Sequence, residues 1–159
     1  MVTVTLSPWE YEYAYQVGIR RYTANWEKRD ALHYDRARME LDRDAQVAAA
    51  ICELAVARHI NRYWHASVWT PSEHQRYRDQ PDVGLNVEVR RVRTDVGPAV
   101  RERDAGRVVW GAMTSGEFRQ VDLLGWVHGD AGWEMGQDRP GGYRVVPAKM
   151  LNPPVLTSP

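Results

Sequence analysis

The stretch DVGLNVEVRR, residues 82–91, decides how this chain is read. Asp82 opens it, Gly84 marks a turn, and Val87, Glu88, Val89 and Arg90 alternate apolar and charged. Side chains on a strand point to opposite faces in turn. Val87 and Val89 therefore share a core-facing side, and Glu88 and Arg90 share the other. A glycine two residues after Asp82 permits a tight turn, which folds the Asp82 carboxylate back beside Glu88. Two carboxylates held close repel, and one takes up a proton unless a cation stands between them. Magnesium wants hard oxygen ligands of this kind. The carbonyl of Val89 is a further oxygen within reach of such an ion.

The segments on either side supply the frame. Ser7-Pro8-Trp9-Glu10 is a helix start, with Ser as N-cap, Pro at the first helical position and Glu at the third. The helix it opens is predicted over residues 8–27. Tyr15, Ile19, Tyr22 and Trp26 recur along it at helical steps, which predicts a face packed on the core. Residues 29–43 are highly charged and predict a loop. DAQVAAAICELAVARHI, residues 44–60, is helical by propensity. Its stripe is Val47, Ile51, Leu54 and Ile60, and Glu53 stands alone as an acid among small apolar neighbours.

Beyond Asn61 the period changes. RYWHASVW reads as a strand, followed by a polar loop through Pro81 and a strand over 86–92. A charged link, TDVGPAVRERDAG, leads to two more strands, RVVWGAM and FRQVDLLGWVH, joined by a Thr-Ser-Gly turn. After a glycine-rich loop, YRVVP gives a last short strand, and the proline-rich tail, residues 151–159, is extended. Helices first and strands after predict an α+β fold with a mixed central sheet flanked by helices. Residues 1–150 form one domain on this reading, with its core at 44–130.

Composition narrows the function classes. The chain has 159 residues, 43% hydrophobic and 26% charged, and no net charge, so it is globular in character rather than a polybasic coat for nucleic acid or membrane. No run of 18 apolar residues is present, and the first residues lack a cationic leader with an apolar run, which predicts a cytoplasmic protein with no membrane partner. The single cysteine, Cys52, excludes an internal disulfide and a cysteine-based zinc site. The five histidines show no metal-ligand spacing. His65 and His128, near strand ends, are the candidates for a base. Trp64, Trp69, Trp110, Trp126 and Trp133 predict a large aromatic core.

Pro81-Asp82 followed by Glu88-Val89-Arg90 resembles the signature of the PD-(D/E)XK nuclease superfamily, with arginine where the lysine commonly stands. Many members carry a glutamate on the helix before the core sheet, and Glu53 matches that place. More narrowly, the chain is similar over residues 45–130 to short phage-encoded proteins of this kind. The resemblance implies a restriction-endonuclease-like core and an endo- or exonuclease acting on DNA. It implies Asp82, Glu88, Arg90 and Glu53 as catalytic residues. Asp82, Glu88, Val89 and Glu53 would ligate Mg²⁺ or Mn²⁺, and Arg90 would hold the scissile phosphate. Arg91 and Arg93 would contact the DNA backbone. It also implies a host cytoplasm as the setting and leaves a homodimer open.

Blander readings stand beside this one. Glu88 and Arg90 make a same-face ion pair on an exposed strand, Asp82 is an ordinary turn residue, and Glu53 is solvated or pairs with Arg58. Arg101, Arg103 and Arg107 with Glu102 and Asp104 are a solvated loop. A fold that keeps the nuclease-like body without turnover, as a DNA-binding or protein-interaction module, is the second functional expectation.

Overall fold

The computed structural model describes residues 1–26, 42–93 and 96–155. The loop expected over 29–43 lies almost wholly outside them, as do the last residues of the tail. Helix α1 spans Pro8–Ala24 and opens with the expected capping box: Ser7 Oγ accepts from Glu10 N–H, and Ser7 N–H donates to Glu10 Oε2 at 2.8 Å. Helix α2 spans Asp42–Ile60.

Only part of the expected face of α1 packs inward: Ile19 rests on the core and Tyr22 is half-buried. Ala14, Val17 and Gly18 are buried, whereas Tyr15 and Trp26 are exposed. Small residues let two helix backbones approach closely, and a Cβ on Gly18 would stand 2.4 Å from the Val47 Cα of α2. The inner side of α2 is likewise built of small residues: Ala48, Ala50, Cys52, Ala55 and Ala57 are buried with Val47, Ile51 and Val56. Leu54 and Ile60 only edge the cluster. This tight pairing brings the last turn of α1 close to the middle of α2.

A mixed four-stranded sheet lies against α2. Its strands are β1 (Val2–Thr5), β2 (Val87–Arg91), β4 (Val108–Thr114) and β5 (Gln120–His128), in the order β1-β5-β4-β2. β2 and β4 run parallel, with Glu88 opposite Val109; β4–β5 and β1–β5 are antiparallel. The architecture is α+β, as expected. The N-terminal edge strand β1 was not legible in the sequence. The link between β2 and β4 carries β3 (Ala99–Val100) and a 3₁₀ turn at Glu102–Asp104. β3 joins β7 (Tyr143–Val145) and β6 (Gln137–Arg139) in a second, three-stranded sheet, order β3-β7-β6. Helix α4 (Gly129–Met135) follows β5 directly. A smaller cluster of Val100, Val109, Val127 and Val146 holds this part together.

The segment RYWHASVW does not form a strand. Only Trp64 makes a ladder contact, an isolated antiparallel bridge to Val83, and Ala66 breaks the extended run with φ at 51°. A short helix α3 (His74–Tyr77) sits in the polar loop that follows. Near the chain end, Asn152 pairs through its backbone with Trp126 of β5. Of the five tryptophans expected in the core, Trp64 and Trp110 are buried and the other three are half-buried. Among the described residues, no helix is long and apolar enough to cross a membrane.

Candidate functional site

Glu53 is placed by α2 at its buried side, with 5% of its surface exposed. A buried carboxylate needs a partner, and α1 supplies it. Arg21 grips Glu53 with two parallel bonds, Nη1 to Oε1 at 2.7 Å and Nη2 to Oε2 at 2.8 Å. The Trp64 indole N–H adds a third, to Oε2 at 2.8 Å. Arg21 Nε meanwhile donates to the Ser67 carbonyl at 2.8 Å. Arg58, the partner expected from spacing along α2, turns instead to Glu10 and the Thr5 carbonyl.

Asp82 sits at the turn into β2, as its sequence setting required. Gly84 takes a left-handed φ of 57°, and its N–H donates to the Tyr63 carbonyl at 2.7 Å. The turn brings Asp82 Oδ2 back to accept the Val89 N–H at 2.8 Å. Burial, then the nearby charges of Glu53 and Glu88, push the Asp82 carboxyl well above the ordinary carboxylate range, against the opposing pull of Arg90 and the Val89 N–H. The helix acid, the turn acid and the strand acid thus lie within electrostatic reach of one another.

Glu88 and Arg90 do share one face of β2 and do pair, Arg90 Nη1 to Glu88 Oε2 at 2.9 Å. The strand is not exposed there: Glu88 keeps only 9% of its surface. Arg107 takes the other oxygen of Glu88 and also reaches the Asp79 carbonyl. Arg90 is further held by Asp104, Nη2 to Oδ1 at 2.9 Å and to Oδ2 at 3.1 Å. Asp104 is 2% exposed, and its Oδ2 also accepts the Arg101 N–H at 2.7 Å. The charged link is therefore no solvated loop at Asp104 and Arg107. Asp104, Glu88 and Asp82 outweigh the cost of burial and hold the Arg90 guanidinium more firmly protonated than usual. Nη1 and Nη2 are both bonded to carboxylates, so Arg90 acts here as a fixed charge and not as an open phosphate clamp.

Sequence reasoning missed Arg21, Trp64, Asp104 and Arg107. Nothing near them in the chain marks them as partners, because each meets its partner across the fold. Arg91 and Arg93 are half-buried, and Arg91 lies close enough to Cys52 to oppose the rise of its pKa. Burial nonetheless pushes the Cys52 thiol up to about 12, so it is a core residue without thiolate chemistry. His65 bonds through Nε2 to the Gly84 carbonyl, and His128 is exposed beside Trp126. Another histidine, His74, faces the acids' side: it lines a cleft of about 270 Å³ together with Arg21, Glu53, Trp69 and Asp82. Its Nδ1 accepts the Trp69 indole N–H at 3.3 Å, which leaves the proton of the neutral ring on Nε2.

In kind, the donors fit a hard divalent ion: carboxylates from three elements and a backbone carbonyl. In position, the oxygens of Glu53 and Glu88 are already bonded to N–H donors, and among the described residues no group of three or more His, Cys, Asp or Glu side chains is gathered for a metal. Arg21, Arg90 and Arg107 already offset the charges of Glu53 and Glu88. No family model matches this chain, and neither curated proteins nor solved structures show a significant match to it.

Proposed function

We propose that this chain is a nuclease that hydrolyses phosphodiester bonds of DNA with a divalent cation, Mg²⁺ or Mn²⁺, in the manner of the PD-(D/E)XK superfamily its sequence resembles. One observation carries the reading: Glu53, Asp82 and Glu88, from a helix, a turn and a strand, come close enough that the charges of the first and last add to burial in raising the pKa of the middle one. Acids crowded to that degree are seldom needed for stability, and perturbed acids beside a cleft mark functional sites. The parallel β2–β4 pair with α2 packed on the sheet is consistent with a restriction-endonuclease-like core.

On this reading Asp82, Glu88, Glu53 and the Val89 carbonyl would hold the ion, which when bound lowers the pKa of a coordinated water. Water adds across a P–O bond, leaving a phosphate monoester and a hydroxyl, and its proton passes to solvent or to a substrate oxygen. Arg21 holds Glu53 in place beside the cleft. Arg90, anchored by Asp104, offsets charge that builds on the phosphate without moving. Arg91 and Arg93 are the proposed contacts to the DNA backbone. A homodimer able to cut both strands, and a phage-infected host cytoplasm, belong to the same proposal.

Cleavage of linear duplex and of single-stranded DNA in Mg²⁺ or Mn²⁺ tests it. Asp82→Ala and Glu88→Ala, once shown to be folded, are expected to cut nothing. If both cut like the parent, the assignment is wrong.

A second reading is favoured by the guanidinium groups that already satisfy Glu53 and Glu88. It makes the chain a binding module, for DNA or for a protein, that keeps the acids only as ion pairs. Calorimetric titration with Mg²⁺ and Mn²⁺ separates the two. Heat that vanishes in Asp82→Ala supports the enzyme; no heat, with salt-sensitive DNA binding in EDTA, supports the module.

A further inference from the structure

The turn that carries Asp82 has a second side. There, between the end of α2 and the start of β2, opens a mainly apolar groove of about 540 Å³. Ile60, Tyr63, Leu85 and Val87 line it, with Arg62 and Asn86 as polar members. Leu85 is 97% exposed and Tyr63 is 73% exposed. Two large apolar side chains left open on one concave surface mark a binding site more than a folding need. The groove is also built firmly. Its floor is the Gly84 turn, whose N–H is held by the Tyr63 carbonyl at 2.7 Å and whose carbonyl is held by His65 Nε2 at 2.7 Å. The Tyr63 and His65 rings meet edge to face at 5.2 Å. The stem of Arg62 lies over Gly84.

We propose that this groove seats one unstacked base of single-stranded DNA between the Tyr63 ring and the Leu85 side chain. Every base offers a π-face to an aromatic ring, and only an unpaired strand has it free. Arg62 supplies positive charge for an adjacent phosphate, and the Asn86 amide is of the type that pairs with base edges. Gly84 is separated from Asp82 by at most about 7 Å of chain. The groove and the acid cleft thus flank one turn. A second copy of the chain fits this surface less well: a stable interface buries about 800 Å² per partner around several anchors, and the groove presents two. A lipid surface fits less well again, because headgroup sites need about four to eight clustered cations and Arg62 is the one arginine lining this groove.

The groove depends on the nuclease reading in one respect, that DNA is the substrate, so its test reads binding alone. Fluorescence anisotropy in EDTA would use a labelled oligothymidine and a duplex of equal length. Tyr63→Ala should weaken single-strand binding about tenfold, and Leu85→Ala about threefold, with duplex binding unchanged and Tyr63→Phe like the parent. The proposal is overturned if both alanine variants hold the oligothymidine like the parent, if the parent holds none, or if Leu85→Ala turns a dimer into a monomer in sedimentation. Cleavage assays keep the two ideas apart. A parent that binds single strands through Tyr63 yet cuts no DNA loses the nuclease reading and keeps the groove. A parent that cuts, with binding indifferent to Tyr63, loses the groove alone.

Discussion

Glu53 and Glu88 are both buried glutamates, and the fold holds them in different ways. Glu53 stands on a helix and is clamped by one guanidinium from α1 and one indole. Glu88 stands on a strand and is divided between two guanidiniums, one of which is tied in turn to Asp104. The first is a neutral pair that locks α1 to α2. The second is a neutral chain, Arg107–Glu88–Arg90–Asp104, that locks β2 to the crossover leading into β4. Asp82 lies between them and hydrogen-bonds to no guanidinium among the described residues. Its carboxyl, with its pKa raised chiefly by burial, is the acid of the three that no ion pair among the described residues ties down. Structure is maintained at the two ends, and the chemical freedom sits in the middle.

The strand-side chain should be the harder of the two to lose. Asp104→Ala strips the bidentate partner from Arg90 and leaves a charge without its main counter-ion; breaking a buried pair in this way costs about 3–5 kcal/mol. Urea unfolding followed by tryptophan fluorescence measures it. A loss under about 1 kcal/mol would show the chain to be ornamental. On the helix side, Arg21→Met should cost about 3 kcal/mol by the same logic, because Glu53 is left with the indole alone. Adding Glu53→Gln to that variant should return about half of the loss, since no charge then remains buried. If the double variant is no better than the single one, the helix clamp works by packing and not by charge.

The smallest effect belongs to Asp82 and is read through pH. Its folded pKa is raised above its unfolded value. Between those two values the native chain holds a proton that the unfolded chain has released. Native protein then binds more protons, so stability falls as pH rises through that window. Asp82→Asn cannot ionise and should lose this slope. It is expected to melt about 2–4 °C above the parent near pH 8 and level with it near pH 4. Parallel melting curves at all pH values would mean that Asp82 is already ionised, contrary to its crowded setting.

Much of the frame was legible locally. The capping box announced α1, alanine content announced α2, alternation announced β2, and strand-like apolar runs announced β4 and β5. Period-2 alternation also placed Glu88 and Arg90 on one face, and the Asp82–Gly84 spacing put Asp82 beside that strand. What failed locally failed for a common reason. The aromatic residues of α1 have a helical period, but so do Ala14, Val17 and Gly18, and only the approach of α2 chose the smaller set. RYWHASVW has strand-like residues, yet it finds a partner only at Trp64. Asp104 and Arg107 look like solvated charges until the crossover folds them under β2.

The sequence by itself determined the helices, the principal strands and the placing of Glu88 beside Asp82. These follow from propensity, periodicity and turn chemistry, which act over a few residues. Tertiary structure alone decided which guanidinium meets which acid. Arg21 reaches Glu53 across 32 positions and Arg107 reaches Glu88 across 19. Buried charges must find partners wherever the packing of helix on helix and strand on strand delivers them, and that delivery is not written in any local stretch of the chain.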